Sequence, residues 1–181
     1  GRAKANVLIV AAPNEEPEKI AHGAALAAAG ARVAVISTLG RESKWSGNAA
    51  IGKSTNQSHR EFIYRMAFPF ARHLVGWEVQ KALAVVDWFE KIDPLLPVAV
   101  MGGGDGGGVA LFAAALDARI RVAGLKDYLG LRADLPSQPI DRNLMGVLRD
   151  FDERSVRALV AAPRKTYWQP DYVGAVAREL G

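Results

Sequence analysis

Cysteine is absent from the 181 residues, which removes disulfides, thiolate metal sites and a cysteine nucleophile together. The lack of thiols is compatible with either redox compartment. No uninterrupted apolar run approaches the roughly 18 residues a membrane helix requires, so no membrane partner is expected. Charge of one sign is scarce too: 23 Lys and Arg against 19 Asp and Glu leave +4. The excess is spread along the chain, with mixed pairs such as Arg41/Glu42 and Arg149/Asp150. No basic stripe carries interleaved aromatics, so no nucleic-acid partner is expected. No grouping of His, Asp and Glu has metal-ligand spacing, and neither a metal nor another cofactor is expected. The opening Gly1-Arg2-Ala3-Lys4 carries no signal peptide, so a targeting segment is expected to be absent or already removed.

What is present is a globular composition. Hydrophobic residues make up 50%, charged residues 23% and aromatics 8%, richer in apolar groups and poorer in net charge than a disordered chain. This length fits one domain and buries roughly 70% of the surface exposed by the unfolded chain, so no staple is needed. Residues 1–181 are therefore read as a single domain of soluble character, either whole or part of a longer chain.

Residues 6–12 (NVLIVAA) form a β-branched run ending at Pro13-Asn14 and predict a buried strand. Residues 15–29 place acidic side chains first and Gly30 just beyond, the order a helix prefers. Residues 31–37 (ARVAVIS) predict a second strand, completing a right-handed βαβ unit. The polar stretch 38–58 is longer than the ~12–15 residues usual for a loop in a compact domain. It holds Trp45 with the basic Arg41, Lys44 and Lys53, and it follows a strand end, where open α/β sheets bind ligands. Helical spacing then runs through Phe62, Met66, Phe70, Leu74, Val75, Val79, Leu83 and Val86, with Pro69 expected to kink or split the helix. Trp77, Trp88 and Phe89 are read as packing against the sheet. A strand at 98–101, a helix at 109–116 and a strand at 120–125 follow. Short helical pieces at 142–148, 153–160 and 171–180 and a fifth strand at Lys165–Trp168 complete the chain. The pattern predicts an α/β fold, a mainly parallel central sheet with helices on both faces.

Between the third strand and its helix stands Gly102-Gly103-Gly104-Asp105-Gly106-Gly107-Gly108. Two motifs fit it. Gly102, Gly104 and Gly107 satisfy G-x-G-x-x-G, which seats a pyrophosphate on a helix N-terminus. Asp127 stands about twenty residues on, the spacing of the acid that holds the ribose. Against this reading, Asp105 puts a negative charge into the phosphate loop, and the motif arrives after two strands instead of opening its unit. The second register, Gly102-Gly103-Gly104-Asp105-Gly106, is that of G-x-S-x-G, the nucleophile elbow of α/β-hydrolases. Small residues flank its centre because the turn is sharp, and the centre carries the nucleophile. Here the centre is Gly104, which adopts the strained backbone without steric cost and offers no reacting atom.

The stretch from about Ala49 to Ile120 resembles a bacterial family of α/β-hydrolase proteins related to dienelactone hydrolases and acetyl xylan esterases. The resemblance rests on Ser54-Thr55-Asn56-Gln57-Ser58-His59-Arg60-Glu61-Phe62-Ile63-Tyr64-Arg65-Met66, Gly76-Trp77-Glu78-Val79-Gln80-Lys81 and Val85-Val86-Asp87-Trp88-Phe89. It continues through the glycine turn and Ala113-Ala114-Ala115-Leu116-Asp117-Ala118-Arg119-Ile120. Weaker matches are Arg142-Asn143, Gly146-Val147-Leu148 and Ala161-Ala162-Pro163-Arg164. The resemblance implies a partial α/β-hydrolase fold whose strands form the middle of the sheet, in a group that often carries Gly at the elbow centre.

Acyl transfer on that fold needs a nucleophile, an acid and a His in that chain order. His22, His59 and His73 all precede the glycine turn; His59 and His73 could share a helical face were Pro69 not between them, and are read as packed or surface residues. Asp171 is the candidate acid, its alternative being an N-cap for the last helix. Asp105, one past the centre, is expected to offer its backbone N–H to an oxyanion while its carboxylate turns with the helix. Pro13 has no N–H, which leaves Asn14 as the expected second donor. Asp117 and Arg119 are read as structural. The family fold continues with a strand and a His-bearing loop; either a longer protein supplies them or the site was never complete. The reading is a hydrolase-type domain with a vacant nucleophile position at Gly104, flanked by Gly102, Asp105 and Gly106. It would act in binding or structure on a small-molecule or carbohydrate-ester ligand. An ester hydrolase with unconventional groups and a dinucleotide-binding protein are the alternatives.

Overall fold

The computed structural model describes residues 2–13, 15–40, 57–127, 137–144, 146–151, 153–161, 165–168 and 172–180. Its strands are β1 (Ala5–Val10), β2 (Ala31–Ile36), β3 (Val98–Gly103), β4 (Ile120–Lys126) and β5 (Lys165–Trp168). Among the described residues they form one parallel five-stranded sheet in the order β2-β1-β3-β4-β5. The helices are α1 (Ala21–Ala28), α2 (His59–Ala67), α3 (Leu74–Ile92), α4 (Gly104–Leu116), α5 (Val147–Asp150), α6 (Glu153–Ala161) and α7 (Tyr172–Leu180). None among the described residues is long and apolar enough to cross a membrane.

Strand side chains alternate between two covered faces, as parallel sheets require. Leu8, Val10, Val98 and Val100 pack with Val79, Val86 and Phe89 of α3, Val109 and Leu111 of α4, and Val156 and Val160 of α6. Val7, Ile9, Ala99 and Met101 face the other way, against Leu26 of α1 and Val176 of α7. In β4 a register shift after the Val98–Ile120 pair skips the exposed Arg121. That bulge resets the alternation, so Ile120 and Ala123 share one face although three residues apart.

Several expectations change. The helix expected over 15–29 is a 3-10 turn at Pro17–Lys19 followed by the shorter α1. Glu15 is drawn back, its carboxylate accepting the Ala12 N–H at 2.9 Å, so the chain turns before it coils. The helix expected from 109 begins at Gly104, because the glycine run is helical despite its low propensity. The piece expected over 142–148 is a 3-10 turn at Ile140–Arg142 and the separate α5, which follows Gly146 in a left-handed conformation. Pro69 does split the long helical segment, in a 3-10 turn closed by Ala71 at φ 52. The apolar stripe breaks there: Leu74, Val79 and Val86 are buried, whereas Met66 and Phe70 are exposed. Of the three aromatics expected on the sheet only Phe89 is buried, in line with Val79, Ala82 and Val86; Trp77 and Trp88 remain 43% and 48% exposed. A single helical face cannot hold adjacent residues, which turn about 100° apart.

Arg60 joins these layers. It is 1% exposed and lies between Glu78 of α3 and Asp141 of the 140–142 turn, both buried. Its Nη1 also donates to the Leu39 carbonyl at 3.1 Å, and the Leu39 N–H donates to Glu78 at 3.2 Å. Burial lowers the guanidinium's proton affinity, but the hydrogen bonds and charges of Glu78 and Asp141 outweigh it and raise the pKa. Removing one member leaves uncompensated buried charge, which is far costlier than losing a surface pair. Arg60→Met should therefore destabilise the fold by about 3–5 kcal/mol, read as a lowered urea midpoint. An unchanged midpoint would show that the cluster is hydrated in solution.

Candidate functional site

The sheet order changes direction between β1 and β3: the chain runs outward from β1 to β2 and the other way from β3 to β4. Ligands of open α/β sheets bind beyond the carboxyl ends at such a switch point. A cavity of about 470 Å³ lies there, lined by Ile9, Val10, Ala12 and the glycine turn Gly102, Gly103 and Gly104 on its floor. Glu15, His22, Lys126, Asp127 and Val173 complete its walls.

Backbone contact shapes that floor. A Cβ on Gly106 would stand 2.3 Å from the Val10 carbonyl oxygen, and one on Gly102 would stand 2.4 Å from the Gly106 carbonyl oxygen. Neither position admits a side chain. Gly104 differs: its φ is +51, and a Cβ there would meet nothing within 4 Å. A left-handed residue between two crowded glycines is a sharp strand-to-helix bend whose apex alone faces open space.

Asp105, the second residue of α4, turns away from the apex. Its carboxylate accepts Arg142 Nε at 2.6 Å, and Arg142 also donates to Gln138. Because Asp141 is held by Arg60, the buried cluster fixes the turn that carries Arg142.

His22 enters from α1. Gly23 beside it brings that helix against β1, since a Cβ there would lie 3.3 Å from Ile9 Cδ1. Burial pushes the His22 pKa below the ordinary 6.5; the Glu15 charge opposes this and the Lys126 charge reinforces it. Sequence reasoning excluded the histidines on chain order, and no spacing signal marks His22. Glu15 and Lys126 were likewise missed, whereas Asp127 was singled out and does line the cavity. His59 opens α2 and His73 precedes α3, so the two lie on separate helices. Asn14, Asp171 and the loop residues Arg41, Lys44, Trp45 and Lys53 lie outside the described residues. Asp117 ends α4 and binds Arg119, which also reaches Asp87 at 2.6 Å. Among the described residues no group of three or more His, Cys, Asp or Glu is placed to hold a metal ion.

The two kinds of glycine should respond differently to a methyl group. Gly106→Ala drives Cβ into backbone that cannot step aside, so its penalty should reach or exceed the top of the ~1–3 kcal/mol overpacking range. Gly104→Ala meets only the left-handed backbone cost of about 1–2 kcal/mol. Denaturant midpoints in the reverse order would contradict the packing described.

No protein-family model matches the sequence, and neither does any curated protein. Solved structures share the fold, two of them as follows. One is the zinc-bound structure of a novel cold-adapted esterase from an Arctic intertidal metagenomic library, 16% identical with a TM-score of 0.56, covering 100% of this chain and 84% of that one. The other is a polyethylene-glycol-bound complex of a novel cold-adapted esterase from such a library, 13% identical with a TM-score of 0.54, covering 99% of this chain and 82% of that one. The chain therefore has the α/β fold of these esterases.

Proposed function

We propose that this chain is a hydrolase-lineage domain, akin to dienelactone hydrolases and acetyl xylan esterases, that binds a small neutral ester without forming an acyl-enzyme. Esters of carbohydrates belong to the same ligand class. The observation that carries the reading is Gly104, a left-handed apex facing open space between two glycines that admit no side chain. The bend that presents a nucleophile is kept, and the nucleophile is absent. The esterase-like fold supports the lineage. In this reading the backbone N–H of Asp105, in the first turn of α4, polarises the ester carbonyl. The Asp105 carboxylate, engaged by Arg142, is not the attacking group.

The wild-type chain, incubated with a fluorophosphonate probe or p-nitrophenyl acetate, should show no covalent adduct by intact mass and no burst phase. Chemical-shift perturbation by phenyl acetate should nevertheless map to residues 102–106 and to His22. Turnover abolished by Asp105→Ala, with the fold retained, would overturn this reading in favour of an unconventional hydrolase in which the Asp105 carboxylate is the attacking group.

Asp127 lining the same cavity favours a dinucleotide as the second reading. Calorimetric titration with NAD is expected to show no heat of binding, because among the described lining residues the carboxylates Glu15 and Asp127 outnumber the one ammonium, Lys126; a micromolar Kd would reverse the two readings.

A further inference from the structure

The space over Gly104 is empty for 4 Å around the position of a Cβ, room for a water oxygen where a side-chain oxygen would otherwise stand. The same cavity is walled by His22 and Glu15, an imidazole and a carboxylate that approach from the β1–α1 side. This puts an imidazole in the same cavity as the apex although every histidine of the chain precedes the glycine turn. We propose that His22 is the proton acceptor for a water molecule that hydrolyses a neutral carboxylic ester bound over Gly104, an inference that rests on the ester-binding reading above.

The step balances without any further reactant. As the water oxygen bonds to the carbonyl carbon, an imidazole nitrogen of His22 takes one of its protons and the carbonyl π pair moves onto oxygen. The tetrahedral adduct then re-forms the carbonyl and breaks the bond to the alkoxide, which takes the proton back from the imidazolium. Acid and alcohol leave, and no bond to the protein forms.

The groups facing His22 suit this role. Glu15 stands on the turn after β1, Lys126 and Asp127 stand at the end of β4, and α7 contributes the uncharged Val173. Among the described residues two carboxylates against one ammonium make the wall net negative when the imidazole is neutral, which favours a neutral ester over a carboxylate product. Burial keeps the imidazole unprotonated down to lower pH than the ordinary 6.5, which keeps the acceptor form dominant at neutral pH. The rate should stay level across neutral pH and fall only as pH drops through the lowered His22 pKa.

The test is hydrolysis of phenyl acetate, whose poorer leaving group limits direct acylation of exposed imidazoles, by wild type, His22→Gln and His73→Gln. His22→Gln should lower kcat roughly 100-fold, in line with loss of a general base, leave KM and the perturbation of residues 102–106 by phenyl acetate unchanged, and abolish the acidic inflection. His73→Gln should behave as wild type. Binding without hydrolysis in the wild type, or a His22→Gln rate equal to wild type, would overturn the role of His22 while leaving the ester-binding reading intact. Absence of phenyl acetate binding would overturn both.

Discussion

The carbonyl oxygen of Val10, the last residue of β1, stands where a side chain on Gly106 would have to go, 2.3 Å from its Cβ position. Most of the architecture around the cleft follows from this contact. It brings the first turn of α4 against the end of a neighbouring strand, closer than any residue with a Cβ allows. The same crowding fixes Gly102 against the Gly106 carbonyl, so β3 must bend sharply into the helix, and the apex Gly104 is lifted clear into the switch-point cavity. Four glycines in the first five residues of α4 cost helix propensity. At Gly106 that cost is offset by an approach no other residue permits.

A second constraint, electrostatic in kind, orients what surrounds the bend. Arg60 satisfies two buried carboxylates from different elements, Glu78 and Asp141. Charges this far from water hold a geometry because any displacement leaves one of them unpaired. Through Asp141 the 140–142 turn is set, and through its neighbour Arg142 the Asp105 carboxylate is drawn to the side of the helix. The acid nearest the apex is thus part of the scaffold, and the polar groups left to the cavity come from the ends of β1 and β4 and from α1.

Catalytic order along a chain and catalytic proximity in space are separate properties. A triad defined by sequence order finds no imidazole after the glycine turn. The parallel sheet, however, delivers every strand's carboxyl end to the same edge, so a histidine following β1 lines the same cavity as a turn following β3.

Local pattern was enough for the strands, for the split at Pro69 and for the crowded glycine bend, because each depends on neighbours a few residues away: β-branched runs, a missing N–H, absent Cβ atoms. It failed where distant groups compete for local ones. Glu15 looked like a helix-start residue, but it folds back onto the Ala12 N–H; Trp77 and Trp88 looked like core, but Phe89 takes the buried face. The Arg60 cluster, the Asp105–Arg142 pair and the sharing of one cavity by His22 and Gly104 were decided by tertiary structure alone. Each joins residues from 18 to 82 positions apart in sequence, on separate elements, where only packing of the sheet against its helices determines who comes together.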